Sequence, residues 1–482
     1  MIHPHLLFLS SKLIWLLTVL IASAAWLYFR SSGRSIAEAG VSALMITHIV
    51  ICLGIQAAVI LDRIWPAILT SVAAAGVAAT LIWRLRFWAV LTWRSTVDFS
   101  RLYPLPVGIA VSSVCFRGIW AAFGPDAGLF LSPAAEIEGL VSVNIASLLN
   151  SQTTLWIHTY HFLAGIMAYG AIGLSIYALS RRHSWPPAAL TATLVVLSMP
   201  RLVNPLLAPA SELITTAAAL FVLMVLYRTI ECLRFDDLLM LVLGLSYTWS
   251  IHPMGWILPS ILIFLTLLLI HRRHGLAHLA HLVRDRPWLT VTASGVAVIM
   301  SPAWNHTVGF IGRDSHSIIR YNADGLSGTA ANLLRYLLQV VQANPSAHFW
   351  VKPMSLWWQG LLEGVYQNTI HMLGGNLGAA ARFNLSSGAG FGPLSLILVL
   401  PAVGYTLVQG PRRLRAIAIS IGWYWFLLAL IPAWQPANIQ LLTPLMAISG
   451  FTVAFFLPPW RFSRTGQLTL NLFCLLSLFT AF

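Results

Sequence analysis

Residues 207–228 read LAPASELITTAAALFVLMVLYR, and no charged residue lies between Glu212 and Arg228 in this run. The run is bounded by charge and is about as long as the roughly 20 residues that a helix needs to cross a membrane. A helix is the expected conformation, because backbone groups in lipid must form hydrogen bonds within their own segment. We therefore predict a membrane-spanning helix here, and comparable runs recur along the chain.

The composition of the whole chain agrees with that of this run. Of its 482 residues, 58% are hydrophobic and 9% are charged, and the mean hydropathy is +0.80. An average soluble protein carries roughly a quarter of charged residues, so the soluble class is excluded. A formal net charge of +14 indicates binding to nucleic acid, binding to an anionic surface, or the charge asymmetry that orients a membrane protein. Apolar runs separate the basic residues, which favours topology, and no nucleic-acid partner is expected.

Apolar runs bounded by charge or by Pro and Gly give about fourteen candidate spans. Several are shorter than a straight spanning helix requires, so we predict an all-α polytopic membrane protein with about 12–14 transmembrane helices. The candidate spans are residues 6–29, 39–61, 66–83, 105–122, 158–180, 187–200, 207–228, 238–252, 254–271, 288–302, 393–409, 414–432, 438–457 and 466–482.

Arginines orient these predicted helices, because cytoplasmic loops carry an excess of Lys and Arg. This rule places residues 123–157 and 303–392 outside the cytoplasm, on the near-neutral face where chemistry is to be sought. The arginines of every second connection are Arg30, Arg34, Arg84, Arg86, Arg94, Arg101, Arg181, Arg182, Arg228, Arg234, Arg272, Arg273, Arg284, Arg286, Arg412, Arg413, Arg415, Arg461 and Arg464.

The same topology divides the chain into four parts. They are N-terminal transmembrane helices (1–104), a transmembrane core with the first outer loop (105–302), a large extracytoplasmic loop (303–392) and C-terminal transmembrane helices (393–482). The large loop contains Leu at helical spacing over residues 330–341, followed by several Trp. We expect it to lie on the outer membrane surface, partly as interfacial helices.

Acidic residues of the first outer loop are candidates for catalysis. Glu136 and Glu138 follow Pro133 and precede an apolar stretch. One of them, facing a cavity at membrane level, can act as a general base on an acceptor hydroxyl or amine. The alternative is a carboxylate at a helix start, where the macrodipole favours it.

Cations on the outer side are candidates for binding phosphate through forked hydrogen bonds. The alternatives are ion pairs with Asp314, Asp324 and Glu363, or contacts with lipid headgroups. Arg117, near the outer end of its span, snorkels outward or pairs with Asp126 or Glu136. The cations of the large loop are Arg313, Arg320, Arg335, Lys352 and Arg382.

Metal sites are weakly indicated. The side chains of His271, His274, His278 and His281 fall on one face of a predicted helix, and a solvated basic face is favoured over a metal site. The four cysteines show neither zinc nor disulfide spacing and are expected to be small buried residues.

Four stretches, in order, resemble the GT-C superfamily of membrane glycosyltransferases, in its bacterial branch related to protein mannosyltransferases and the lipid A aminoarabinose transferase. The resemblance covers residues 105 to 457. The stretches are LSMPRLVNPLLAPASELITTAAALFVLMVLYR (197–228), AANLLRYLLQ (330–339), FGPLSLILVLPA (391–402) and WQPANIQLLTPL (434–445).

The resemblance implies an enzyme of the bacterial inner membrane that uses a polyprenyl-phosphate sugar donor. It transfers the sugar outside the cytoplasm to a lipid, glycan or protein, and some members of the superfamily need a divalent metal. An acidic residue of the first outer loop is the base, and Glu136 aligns with it. The substrate-binding candidates are Glu138, Asp126, Arg117, Arg335, Arg382 and Gln440.

Two departures from the family pattern lead to an alternative function. The Tyr-His-x-Pro-Arg segment after the acidic residue is replaced, with Asn144 in place of Arg, and Gln440 stands where a late Arg is expected. Loss of these cations is typical of a catalytically inactive GT-C-like subunit, a scaffold with membrane-protein partners in a larger complex. A transporter or flippase is a weaker hypothesis, because no inverted repeat of interrupted helices is evident.

Overall fold

The structure is a computed structural model. About 90% of the residues it describes are helical, and those residues form no β-strand, which confirms the all-α prediction for them. The residues described are 4–60, 65–123, 154–203, 210–251, 257–299, 322, 325–341, 352–372, 390–392, 394–434, 438, 441–457 and 463–481.

Many neighbouring helices are joined by short connections, while 30 residues separate α5 from α6 and 25 separate α13 from α14. A π-helical segment, Ser395–Val399, leads directly into α16. In chain order the α-helices are α1 (Pro4–Ser31), α2 (Ile36–Ile60), α3 (Trp65–Arg84), α4 (Arg86–Leu102), α5 (Pro104–Phe123), α6 (Thr154–Arg181), α7 (Pro186–Leu197), α8 (Pro200–Val203), α9 (Ala210–Glu231), α10 (Phe235–Ile251), α11 (Ile257–His274), α12 (Leu276–Arg284), α13 (Pro287–Ile299), α14 (Gly325–Val341), α15 (Lys352–Met372), α16 (Leu400–Gln409), α17 (Arg412–Leu430), α18 (Thr443–Phe456) and α19 (Arg464–Ala481).

Each candidate span from the sequence overlaps a helix of the structure. The predicted span 39–61 corresponds to α2, and the span 414–432 corresponds to α17. The sequence pattern does not predict helix α4, because its arginines are typical of a connection. Its residues are only weakly apolar overall, so no long apolar run marks this full-length helix.

Helix α9, which contains the charge-free run between Glu212 and Arg228, is the centre of the bundle. Every residue from Glu212 to Tyr227 is buried. A helix that is hydrophobic on all sides needs neighbours on all sides. Here α6, α10, α11 and α18 pack around it. The stretch with the clearest spanning pattern is therefore also the core of the fold.

Small residues let neighbouring helices approach closely. A Cβ on Gly450 of α18 would overlap Val196 Cγ2 of α7. A Cβ on Gly244 of α10 would lie 2.9 Å from Val222 Cγ2 of α9. Glycine at these two positions lets the helix backbone lie closer to the neighbouring helix than a larger residue would allow.

Three helical segments of the described ranges are long and apolar enough to cross a membrane. They are Glu212–Glu231, Ile257–His274 and Arg412–Leu430. A fourth span is added if α3 and α4 are taken as one, although a 76° bend separates Ala73–Arg84 from Arg86–Leu102. By length and composition, three or four helices are therefore suited to span a membrane.

Two ends of the bundle are defined by charge, and α9 connects them. Glu212 lies at its first turn and Arg228 at its last, about 24 Å apart at 1.5 Å per residue. We name the end that holds Arg34, Arg182, Arg228 and Arg413 the arginine pole. The end that holds Arg201, Glu212, Thr443 and Arg335 is named the distal pole.

Candidate functional site

Of the seven site residues expected from the sequence, Arg335 is the one whose side chain the structure describes. Arg117 lies on α5, with only its backbone in the described part. The remaining five lie outside the described residues and are Glu136, Glu138, Asp126, Arg382 and Gln440.

Arg335 lies on a buried polar face of α14. Asn332, Arg335, Tyr336 and Gln339 follow the helical spacing that places side chains on one face, and each is at most 6% exposed. Leu337, which belongs to the leucine pattern of this helix, is 40% exposed. The sequence predicts the helix correctly, but the structure buries polar side chains that the leucine pattern does not indicate.

Hydrogen bonds fix the Arg335 guanidinium. Its Nε donates to the hydroxyl of Tyr366 on α15 at 2.9 Å, and its Nη1 donates to Asn332 Oδ1 at 3.1 Å. Asn332 in turn donates through Nδ2 to the carbonyl of Ala429 at 3.0 Å. Arg335 is therefore positioned by α14, α15 and the end of α17.

Aromatic rings complete the surroundings of Arg335. Its guanidinium carbon lies 5.1 Å from the ring centroid of Trp434 and 5.7 Å from that of Tyr366. Both distances are within the range of cation–π contacts. The guanidinium, close to both rings, has the planar fork that matches a phosphate.

Further polar groups surround this site. Asn438 Nδ2 donates to the Tyr336 hydroxyl at 3.3 Å and to the Ala433 carbonyl at 2.9 Å. Burial raises the pKa of Tyr336 to about 12, so its hydroxyl stays protonated. Gln339 Oε1 is buried and has no hydrogen-bond partner among the described residues. Unsatisfied buried acceptors are uncommon, so Gln339 is a candidate contact for a ligand.

Both ends of α14 are tied to the bundle. Near its start, the backbone N–H of Asn322 donates to the carbonyl of Ile431 at 3.0 Å. At its end, the Val340 carbonyl accepts from the N–H of Phe391 at 3.2 Å and from the hydroxyl of Ser395 at 2.8 Å. Helix α14 therefore has fixed attachments on both sides of Arg335.

A second distal-pole cluster is not among the sites expected from the sequence. Arg201 Nε and Nη2 donate to the two carboxylate oxygens of Glu212, each at 3.2 Å, and Thr443 also donates to this carboxylate. Arg201 is 5% and Glu212 4% exposed. The two residues flank the proline-containing loop between α8 and α9. One positive and one negative residue on opposite sides of such a loop are the sequence signal that predicts this pairing.

The arginine pole is a connected network of ion pairs. It joins the start of α2 to the connections α1–α2, α6–α7, α9–α10 and α16–α17. These are four of the connections that the positive-inside rule assigns to one side, and the structure brings them together. The pairs are Arg34–Asp237 (2.6 Å), Arg228–Asp237 (3.2 Å), Arg228–Glu38 (3.1 Å), Arg182–Glu38, Arg182–Glu231 and Arg413–Glu231 (3.5 Å).

Glu38 has two roles at this pole. Its carboxylate accepts from the N–H of Ser35 at 3.0 Å, and Ser35 Oγ accepts from the Glu38 N–H at 3.3 Å, which is a capping box at the start of α2. Burial by itself raises the pKa of the Glu38 carboxyl, but Arg182 and Arg228 hold it below its ordinary value. Glu38 is therefore ionised, and the S-x-x-E pattern is an available signal for it.

His183 also lies at the arginine pole, and its pKa is shifted there. Burial, together with the charges of Arg182 and Arg413, lowers the pKa of His183 to about 4, and Glu231 opposes this change. The ring Nε2 lies 3.3 Å from the hydroxyl of Tyr227. The neutral imidazole is therefore the form present near neutral pH.

Two minor expectations were wrong. Gly275, with a φ of 77°, separates α11 from α12, so His271 and His274 lie on a different helix from His281. Cys115 and Cys232 are exposed, in contrast to the buried Cys474. Across the described ranges no group of three or more His, Cys, Asp or Glu is placed to hold a metal ion.

Comparison with known proteins gives no match to a protein-family model, a curated protein or a solved structure. The chemistry of the site is therefore argued from its own residues.

Proposed function

We propose that the chain is a polytopic protein of the bacterial inner membrane, with about 12–14 spans and the arginine pole in the cytoplasm. Large apolar side chains on the perimeter support a lipid surround, among them Val77, Phe264, Trp288, Ile397 and Trp423, each at least 54% exposed. The convergence of arginine-rich connections at one end supports the orientation. On this placement the distal pole faces the periplasm.

We propose further that the protein is a GT-C-like glycosyltransferase acting at the distal pole. The observation that supports this most is the anchored Arg335, whose guanidinium carbon lies within 6 Å of the ring centroids of both Trp434 and Tyr366. Arg335 binds the phosphate of a polyprenyl-phosphate sugar, replacing one of the cations missing from the family pattern. Arg117 and Arg382 are the further candidates for this role, while Glu138, Asp126 and Gln440 contact the sugar or acceptor.

In this proposal Glu136 is the general base. Its carboxylate takes the proton of the acceptor hydroxyl or amine as the acceptor oxygen or nitrogen bonds to the sugar. The bond from the sugar to the phosphate breaks, and the lipid phosphate leaves as an anion that a cation such as Arg335 stabilises.

The test is transfer of a labelled sugar from a polyprenyl-phosphate donor in proteoliposomes, with membrane lipid, glycan and protein fractions as acceptors. We expect Glu136→Gln to lower the rate by about 100-fold or more, the lower range for loss of a general base. Glu363→Gln on α15 is the matched control, because Glu363 is exposed. Equal rates in the two variants would contradict the role of Glu136.

A non-catalytic scaffold is the second candidate function, and one observation favours it. Both distal-pole arginines whose side chains are described are buried, and Arg201 is already paired with Glu212. A scaffold requires a tight partner that copurifies in detergent and no transfer activity with any donor. Copurification combined with activity that depends on Glu136 would instead support an enzyme within a complex.

A further inference from the structure

Helix α4 combines a sharp change of direction with an exposed basic and aromatic face. One residue separates it from the end of α3, and it is inclined to α3 by 76°. If α3 crosses a membrane, a helix inclined at this angle runs close to the plane of the membrane surface. Such in-plane helices are typical of amphipathic segments at the interface.

The position of α4 along the bundle follows from its contacts. Its inner side holds the buried Thr92, and the ring of Phe99 lies 5.6 Å from that of Tyr177. Tyr177 is one helical turn before Arg181 at the end of α6. Helix α4 therefore lies at the level of the arginine pole, where α3 also ends.

The outward side of α4 carries a surplus of positive charge. Arg86, Arg94 and Arg101 are exposed, and the one acidic residue of the helix is Asp98. In an ideal helix Arg94 and Arg101 project within about 20° of each other, since they are seven residues apart. These two guanidiniums therefore project toward the same region outside the protein.

Large apolar side chains lie among these arginines. Trp83, Phe87 and Trp93 are 71%, 69% and 70% exposed, and the Arg86 guanidinium lies 4.9 Å from the ring centroid of Trp83. Exposed Trp beside Arg is the composition of a membrane interface, where rings lie at headgroup level and cations contact phosphate. A soluble partner is less suited to this face, because α3 continues directly from it into a proposed span.

We propose that α4 binds the headgroups of anionic phospholipids in the cytoplasmic leaflet through Arg86, Arg94 and Arg101, with its exposed rings inserted between the lipids. This rests on the membrane placement proposed above and is independent of glycosyl transfer. The ligand chemistry is a phosphodiester carrying net negative charge. Each arginine near an anionic surface contributes about a five-fold gain in binding.

The experiment measures lipid binding to the full chain in neutral detergent by native mass spectrometry. Phosphatidylglycerol is compared with phosphatidylcholine for the wild type, for Arg94→Gln/Arg101→Gln, and for the matched control Arg272→Gln/Arg273→Gln. The control removes two exposed arginines from the end of α11. We expect the α4 variant to lose about ten-fold or more in affinity for phosphatidylglycerol, and the control to lose clearly less if the binding site is on α4.

Three results would overturn the proposal. The first is equal affinity of the wild type for the two lipids, and the second is equal losses of affinity in both variants. The third is displacement of phosphatidylglycerol by glycerol phosphate at the same concentration, which would indicate a site for free phosphate.

Site-directed spin labelling provides a second measurement in vesicles. A label on Val90→Cys, with the native cysteines replaced, is expected to be more accessible to oxygen than to a water-soluble nickel complex.

Discussion

The side chains of Arg34 and Asp237 form a salt bridge of 2.6 Å although they are 203 residues apart in sequence, and each is 2% exposed. This pair joins the connection between α1 and α2 to the start of α10. Asp237 also accepts from Arg228 Nε at 3.2 Å, so one carboxylate interacts with the buried guanidinium of Arg34 and the half-buried one of Arg228. The arginine pole therefore depends on a few acidic residues.

Removal of the Asp237 charge is expected to destabilise the protein strongly. Asp237→Asn leaves Arg34 buried without its counter-charge, which typically costs about 3–5 kcal/mol. Asp236→Asn is the matched control, because the neighbouring Asp236 is exposed, and its effect should stay within about 0.5 kcal/mol. Thermal unfolding of the purified proteins in one detergent measures both, and similar melting temperatures would contradict a structural role for the pair.

The distal pair Arg201–Glu212 should respond differently to single and double substitution. Glu212→Gln leaves a buried cation uncompensated and is expected to cost about 3 kcal/mol or more. Replacing both residues, as Arg201→Met/Glu212→Leu, removes both charges from the interior and is expected to cost less than the single change. Unfolding of the three proteins tests this, and a double variant less stable than Glu212→Gln would show that the ion pair itself stabilises the fold.

Gly450→Ala is expected to separate α7 from α18. The added methyl would overlap Val196, and overpacking of a tight contact costs about 1–3 kcal/mol. Gly422→Ala on α17 is the control, because nothing lies within 4 Å of the position that its Cβ would take. There, the gain in helix propensity makes the change neutral or stabilising by up to about 1 kcal/mol. Melting temperatures that fall equally in both variants would contradict the close helix contact.

His183 should make stability depend on pH in the mildly acidic range. The pKa of His183 is about 4 in the folded protein and 6.5 as its ordinary value. Between these values the unfolded chain binds a proton that the folded protein does not, so stability falls as the pH is lowered from 6.5 toward 4. His183→Gln should reduce this slope, measured as melting temperature against pH, and an unchanged slope would contradict the burial of a neutral imidazole.

The sequence predicts the helices well because long apolar runs and arginine clusters are local signals. It does not predict α4, since a helix lying across the end of a bundle has no long apolar run. Nor does it predict the pairing of Glu38 and Asp237 with distant arginines, which depends on tertiary contacts. Arg335 is a candidate from the sequence, but nothing local to it indicates Trp434 as a neighbour, because that ring comes from another connection.

The attachments at both ends of α14 have a consequence for access to Arg335. Asn322, three residues before its start, is bonded to Ile431, and Val340 near its end is bonded to Phe391 and Ser395. A helix attached at both ends in this way is unsuited to move as a lid over Arg335. On the function proposed above, a lipid-linked donor would therefore have to reach Arg335 without displacing α14.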